Sequence, residues 1–161
     1  MSITVLTGCA PSDAGHGARP PEVRLEGVQF HAYRDATLTA QGTAASATYL
    51  RTSGEVVATD VRATIPRPGA PALSVDAPDV QGDLAARTWK ASGGVVLRRG
   101  DATARTASAR WDAADGLVRG DEPVEITGPG YRLQGPSFTA DPERGDVDIR
   151  GGVRVVAGGA R

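Results

Sequence analysis

Tyr131 to Val156, YRLQGPSFTADPERGDVDIRGGVRVV, reads as a small antiparallel β-meander, and it is the clearest copy of a unit that recurs upstream. Leu133, Phe138 and Ala140 fall on short extended runs. Asp141-Pro142-Glu143-Arg144-Gly145 has turn chemistry, with Pro setting φ and Gly supplying φ > 0. Beyond it Val147 and Ile149 alternate with Asp146, Asp148 and Arg150, the period of two expected when one sheet face is buried. Gly151-Gly152 then predicts a bend or bulge before Val153 and Val155, which keep the same parity.

Stepping 29 positions upstream places Asp112 to Gly116 on the turn, and a second step of 29 places Asp83 there. Four apolar columns hold across the copies: Val75, Ala104, Leu133; Val80, Ala109, Phe138; Trp89, Val118, Val147; and Leu97, Ile126, Val155. A more distant first copy runs from Thr48 to Ile65, with the Pro-rich stretch 66–71 as an insertion. Periods of this size mean stacked supersecondary units, none of which buries its apolar face alone.

With 161 residues, one domain with a real core is the default. Apolar residues make up 40% but aromatics only 4%, beside 21 Gly and 11 Pro, so turns are frequent and Val, Leu, Ile and Ala carry the core. A net charge of −1 argues against a nucleic-acid partner, which requires a strong basic bias. No stretch approaches the ~20 apolar residues of a spanning helix. A single cysteine excludes an internal disulfide.

Residues 1–9, MSITVLTGC, form a lipobox-like or truncated signal segment: Leu6-Thr7-Gly8-Cys9 resembles the bacterial lipobox, in which the cysteine is lipidated. The preceding run Ile3 to Leu6 is shorter than a signal h-region and lacks a basic flank, which makes a start upstream of Met1 one expectation. Residues 10–21 read as a flexible linker, 22–157 as the domain and 158–161 as a tail. Val28, Phe30 and Ala32 alternate with polar neighbours, with Gly27 marking a bulge or turn. Leu38 to Leu50 is Ala-rich enough to invite a helix, but its threonines, Gly42 and Ser46, and its place in the repeat, predict strand.

Catalytic groups are thin. His16 lies in the linker and His31 on a strand face, and no serine sits in a nucleophile elbow. One Cys and two separated His cannot build a zinc site. Asp83, Asp112 and Asp141 occupy equivalent turns, which Asx chemistry explains better than a glycosidase pair. The expectation is a protein that is not an enzyme and has no metal or cofactor. The apolar columns fit either an ordinary closed core or two sheets that leave a lined groove for an acyl chain.

Several segments resemble the LptC family of periplasmic lipopolysaccharide-export proteins. They are Ser108 to Asp112, Gly120 to Ile126, Gly135 to Asp141, Gly151 to Val156, and VRLEGVQFHAY with Leu38-Thr39-Ala40 near the N-terminus. The likeness covers roughly 22–156, and the related OstA/LptA proteins share the repeat. It implies an all-β fold, an antiparallel β-jellyroll of repeated hairpins, open-ended, with an apolar groove for lipid A chains. It also implies a non-enzymatic, periplasmic, membrane-anchored protein, at the inner membrane. Its partners would be lipopolysaccharide, the jellyroll subunits of an inner-membrane ABC transporter and an OstA/LptA-like periplasmic protein. The usual N-terminal helix of the family is absent here, so either a lipid on Cys9 or a helix before Met1 would supply the anchor.

The groove candidates are Phe30, Leu38, Val95, Leu97, Val124, Ile126, Leu133, Phe138, Val153 and Val155. The candidate docking edge is the last strand, Gly152, Val153, Arg154, Val155 and Val156. A structural or adhesive β-repeat lipoprotein with a closed core is the rival reading. A polysaccharide-acting parallel β-helix is a second, and the hairpin turns speak against it.

Overall fold

A computed structural model describes residues 22–158. These residues cross the molecule nine times. Four passes are uninterrupted strands: β1 (Glu22–Arg34), β2 (Thr37–Leu50), β3 (Glu55–Ile65) and β4 (Leu73–Asp83). Five are broken into pairs: β5 (Thr88–Ser92) with β6 (Val95–Arg99), β7 (Ala102–Thr106) with β8 (Ala109–Asp112), β9 (Val118–Gly120) with β10 (Val124–Gly128), β11 (Tyr131–Gly135) with β12 (Ser137–Asp141), and β13 (Asp146–Arg150) with β14 (Arg154–Ala157). All pairing is antiparallel, which removes the parallel β-helix.

The sheet forks at β4. Asp79 to Asp83 pair with β5, while Ser74 to Asp76 pair with β6. From there β5, β8, β9, β12 and β13 extend one wall, and β6, β7, β10, β11 and β14 extend the other. We call these wall A and wall B; β1 to β4 contribute half of each strand to both. The long strands must therefore fold over a shared line. Their ladders are interrupted at one level, around Gly27, Ala45, Asp60 and Pro78. At that level Gly27 and Asp60 take left-handed φ of 60° and 50°, a bend that Gly adopts freely and Asp tolerates.

The same line breaks the later passes at Gly93-Gly94, at Pro136 and at Gly151-Gly152. Each 29-residue unit thus supplies one hairpin to each wall, and the meander of residues 131–156 is split between them. From wall B the chain enters wall A at β12, turns, and returns so that β14 pairs with β11. The final strand therefore begins at Arg154, later than expected: Gly152 and Val153 belong to the corner, where Gly151 takes φ 88° against Pro136.

Small residues let the walls meet near the line. One core joins Ala44 and Val61 of wall B to Ala58 of wall A, with Val28, Phe30, Ala47 and Val80 against it. A second joins Ala109 and Phe138 of wall A to Val124 of wall B, with Ile126 and Ile149 alongside. The Ala-rich β2 is strand throughout, because Ala44 and Ala47 fill this narrow contact where a helix would have no partner face. The repeated aspartates cap their own turns. Asp83 Oδ1 accepts from the N–H groups of Ala85 and Ala86 at 2.8 Å, Asp112 Oδ1 from Ala114 at 2.8 Å, and Asp141 Oδ1 from Glu143 and Arg144 at 2.9 and 3.0 Å. Four residues on in each turn, Gly145, Gly116 and Arg87 share a positive φ.

Candidate functional site: an apolar cleft between two walls

Strand register puts the inward side chains in rows that run across every pass. On wall B one row leads from Phe30 on β1 to Leu97, Ile126, Leu133 and finally Val155 on β14. Gly42, Ala63, Val75 and Ala104 fill the strands between. Nearer the corner, Val95 pairs with Thr106, which pairs with Val124. Val153 precedes β14 with the parity of Val155, and Phe138 faces the cleft from wall A. Leu38 is half-buried at the mouth of wall B, paired with Tyr33 beyond a register shift. The ten groove candidates thus lie on or beside the inner face, nine of them on or next to wall B.

Wall A was largely missed as lining. Its outer inward row runs from Val23 and Tyr49 through Val56, Trp89 and Trp111 to Val118, Ala140 and Val147. The column Trp89, Val118, Val147 already carried this signal, because all three share the parity of Val80 and Phe138 across their turns.

Aromatic rings lie down in this cleft. Phe30, Trp89, Tyr131 and Phe138 pair directly across strands with Gly42, Gly82, Gly128 and Gly120, and each ring occupies the space a side chain on its glycine would fill. A ring flat on the sheet covers the bare backbone of its glycine partner, and Phe138 still reaches Val124 of the opposite wall. The inner face is incompletely buried. Only eight apolar residues are buried among the described residues, and four are alanines. Val95 at the corner is 1% exposed, whereas the inward residues at the two edges stay open: Val23 38% and Leu25 47% on β1, Val147 48% on β13, Val155 61% on β14.

The outer faces differ in kind. On wall B, Arg105, Glu125, Gln134 and Arg154 form one row, with Gln134 Nε2 donating to Glu125 Oε2 at 2.7 Å. These polar groups and Pro123, Pro136 and Gly152 border an open depression of about 560 Å³. On wall A the corresponding row includes Lys90, Arg110 and Arg119. Arg119 donates to Asp115, which holds the Asp115 carboxyl below its usual range and raises the guanidinium. His31 lies on the outer face of wall B beside Gln41. Among the described residues no three of His, Cys, Asp or Glu converge in a metal-binding group, and no helix is long and apolar enough to cross a membrane.

Both edges are open. β1 pairs only with β2, β13 only with β12, and β14 only with β11 among the described strands. Gly158 N–H donates to Gly130 O at 2.8 Å, in register with the β11–β14 ladder. Alternation along an antiparallel strand then turns the backbone of Val156 and Arg154 toward β11 and that of Val155 toward the free side. Cys9 and the segment 10–21 lie outside the described residues.

No protein-family model matches the chain, and no curated protein matches it. Among solved structures it is similar to LptH from Pseudomonas aeruginosa, described as the LptA homologous periplasmic component of the conserved lipopolysaccharide transport device. The TM-score is 0.51 at 13% identity, over 84% of this chain and 94% of that one. The fold is therefore an all-β antiparallel jellyroll of the LptA type.

Proposed function

We propose that this jellyroll is a non-enzymatic periplasmic carrier that holds the acyl chains of lipopolysaccharide between its walls and passes the glycolipid along a bridge of similar domains. One observation carries the reading: facing apolar rows run unbroken from edge to edge, stay partly exposed, and end in open valines at β1 and at β13–β14. Such a surface binds alkyl chains through buried area, at roughly 25 cal/mol per Å², and needs no reacting group. An LptC-type position, receiving the lipid from the jellyroll subunits of an inner-membrane ABC transporter and delivering it to an OstA/LptA-like protein, suits the resemblance of residues 22–156. The energy for transport would come from the ATPase.

A photo-crosslinking amino acid at Leu97 or Ile126 should capture lipopolysaccharide, while the same probe at the outward positions Glu125 and Asp148 should not. Capture confined to the outward positions would sink the carrier reading. The anchor is tested separately. Cys9 is expected to be acylated, so a clickable fatty acid should label the wild-type chain and not Cys9→Ala; equal labelling of both rejects a lipid at this residue.

A further inference from the structure

Three guanidinium groups of wall B reach across the mouth of the cleft and close on one turn of wall A. Arg34 ends β1, Arg67 lies in the β3–β4 loop and Arg99 ends β6. Their common target is the β12–β13 turn. Arg34 Nη1 donates to Glu143 Oε1 at 3.1 Å, Arg67 to the carbonyl of Glu143, and Arg99 Nη2 to the carbonyl of Gly145 at 3.1 Å. Arg67 and Arg99 crowd the same point, since a side chain built on Gly145 would strike a terminal nitrogen of each.

The charges across this contact do not balance. Arg67 and Arg99 are half-buried, yet among the described residues neither has a carboxylate within ion-pair reach. Both are met by main-chain carbonyls. The other acid of the turn, Asp141, is committed to the N–H groups of Glu143 and Arg144 and to the Arg144 side chain at 3.6 Å. A partly desolvated cation satisfied only by neutral dipoles binds an anion more strongly than those dipoles, because charge-assisted hydrogen bonds are roughly twice as strong as neutral ones.

Position gives the ligand its chemical class. Arg99 lies two residues beyond Leu97 on β6 and shares its inward parity, so the cluster caps the apolar row of wall B at the mouth. We propose that Arg34, Arg67 and Arg99 are a receptor for the phosphate-bearing headgroup of the amphiphile held in the cleft, and that the turn 141–145 occupies this receptor when no ligand is bound. The inference rests on the carrier reading and adds to it a charged subsite and a competing occupant. Planar guanidinium forks match phosphate oxygens in pairs. Those oxygens take the places now held by one carboxylate oxygen and two carbonyls, and the turn lifts from the mouth as they enter.

The test uses the 161-residue chain, an apolar fluorescent dye, 1-N-phenylnaphthylamine, to report the cleft, and two single-chain competitors kept below their micelle concentrations. Dodecyl phosphate should displace the dye at roughly tenfold lower concentration than dodecyl maltoside, the size of effect expected for one or two charge-assisted hydrogen bonds. In Arg67→Gln/Arg99→Gln that preference should vanish while the dye and dodecyl maltoside bind as in wild type, which also shows that the variant is folded. Glu143→Gln, which removes the competing carboxylate at an exposed position, should strengthen dodecyl phosphate binding by about two- to fivefold.

A preference that survives in the double variant overturns the receptor, and weaker binding in Glu143→Gln overturns the turn as its occupant. Inorganic phosphate that loads the cluster as well as dodecyl phosphate does would make it a free-phosphate site and overturn the headgroup assignment. Failure of the dye and of dodecyl maltoside to bind the wild type overturns the carrier reading, and this inference with it. A wild type that binds the dye and dodecyl maltoside but shows no preference for dodecyl phosphate overturns only the inference.

Discussion

Phe138→Ala should lower the stability of the domain by about 3–4 kcal/mol, the range for removing a buried aromatic ring from a packed site. Phe138 is 6% exposed and belongs to the cluster that holds Ala109 of wall A against Val124 of wall B, with Ile126 and Ile149 around it. Its ring also covers Gly120, the partner across the strand, so truncation opens a cavity over bare backbone. The walls cannot collapse onto the gap without dragging the hairpins of the last two passes. Thermal unfolding followed by circular dichroism should show a fall of roughly 10 °C for a chain of this size. Phe30→Ala, at a half-buried position over Gly42, should cost clearly less. Equal losses for the two variants would show that Phe138 does not clamp the walls.

Val155→Pro should abolish association with an OstA/LptA-type jellyroll protein while leaving the domain folded. The Val155 N–H faces the free side of β14, so proline removes a donor that none of the described strands uses. Its partner's acceptor would then be left unsatisfied in the joint, at about 1–3 kcal/mol, which alone weakens binding by roughly tenfold. Distortion of the neighbouring bonds adds to that. Val156→Pro supplies the contrast, because its N–H faces β11 and its loss should disturb the domain itself. Co-purification of Val155→Pro at wild-type levels, with an unchanged circular dichroism spectrum, would place the docking edge elsewhere.

Much of the jellyroll was legible in the sequence because parity survives the turns. The 29-residue step aligned Val75, Ala104 and Leu133, and these share one inward row of wall B with Leu97, Ile126 and Val155. It likewise aligned Val80, Ala109 and Phe138 on wall A. Periodicity says which side chains share a face, but it does not say which face each hairpin joins. That assignment depends on the fold line through Gly27, Ala45, Asp60 and Pro78, whose members become neighbours only once the strands pair. Trp111 and Val23 were overlooked as lining for this reason. The arginines at the mouth lie further from any local signal, since Arg34 and Glu143 are 109 residues apart and meet only in the folded chain.

The described passes are odd in number, so β1 and the final described pass β13–β14 run in the same sense from wall A to wall B. A row of such units that keeps each wall continuous must therefore join the last pass of one unit to the first of the next as a parallel pair. Parallel pairs carry slanted bonds and are slightly weaker per residue than the antiparallel ladders inside each unit. The seams are then the weakest places along the row. Pulled or warmed, such a row would part between domains and leave every jellyroll intact, and because its two ends are unlike, it would be rebuilt in only one direction.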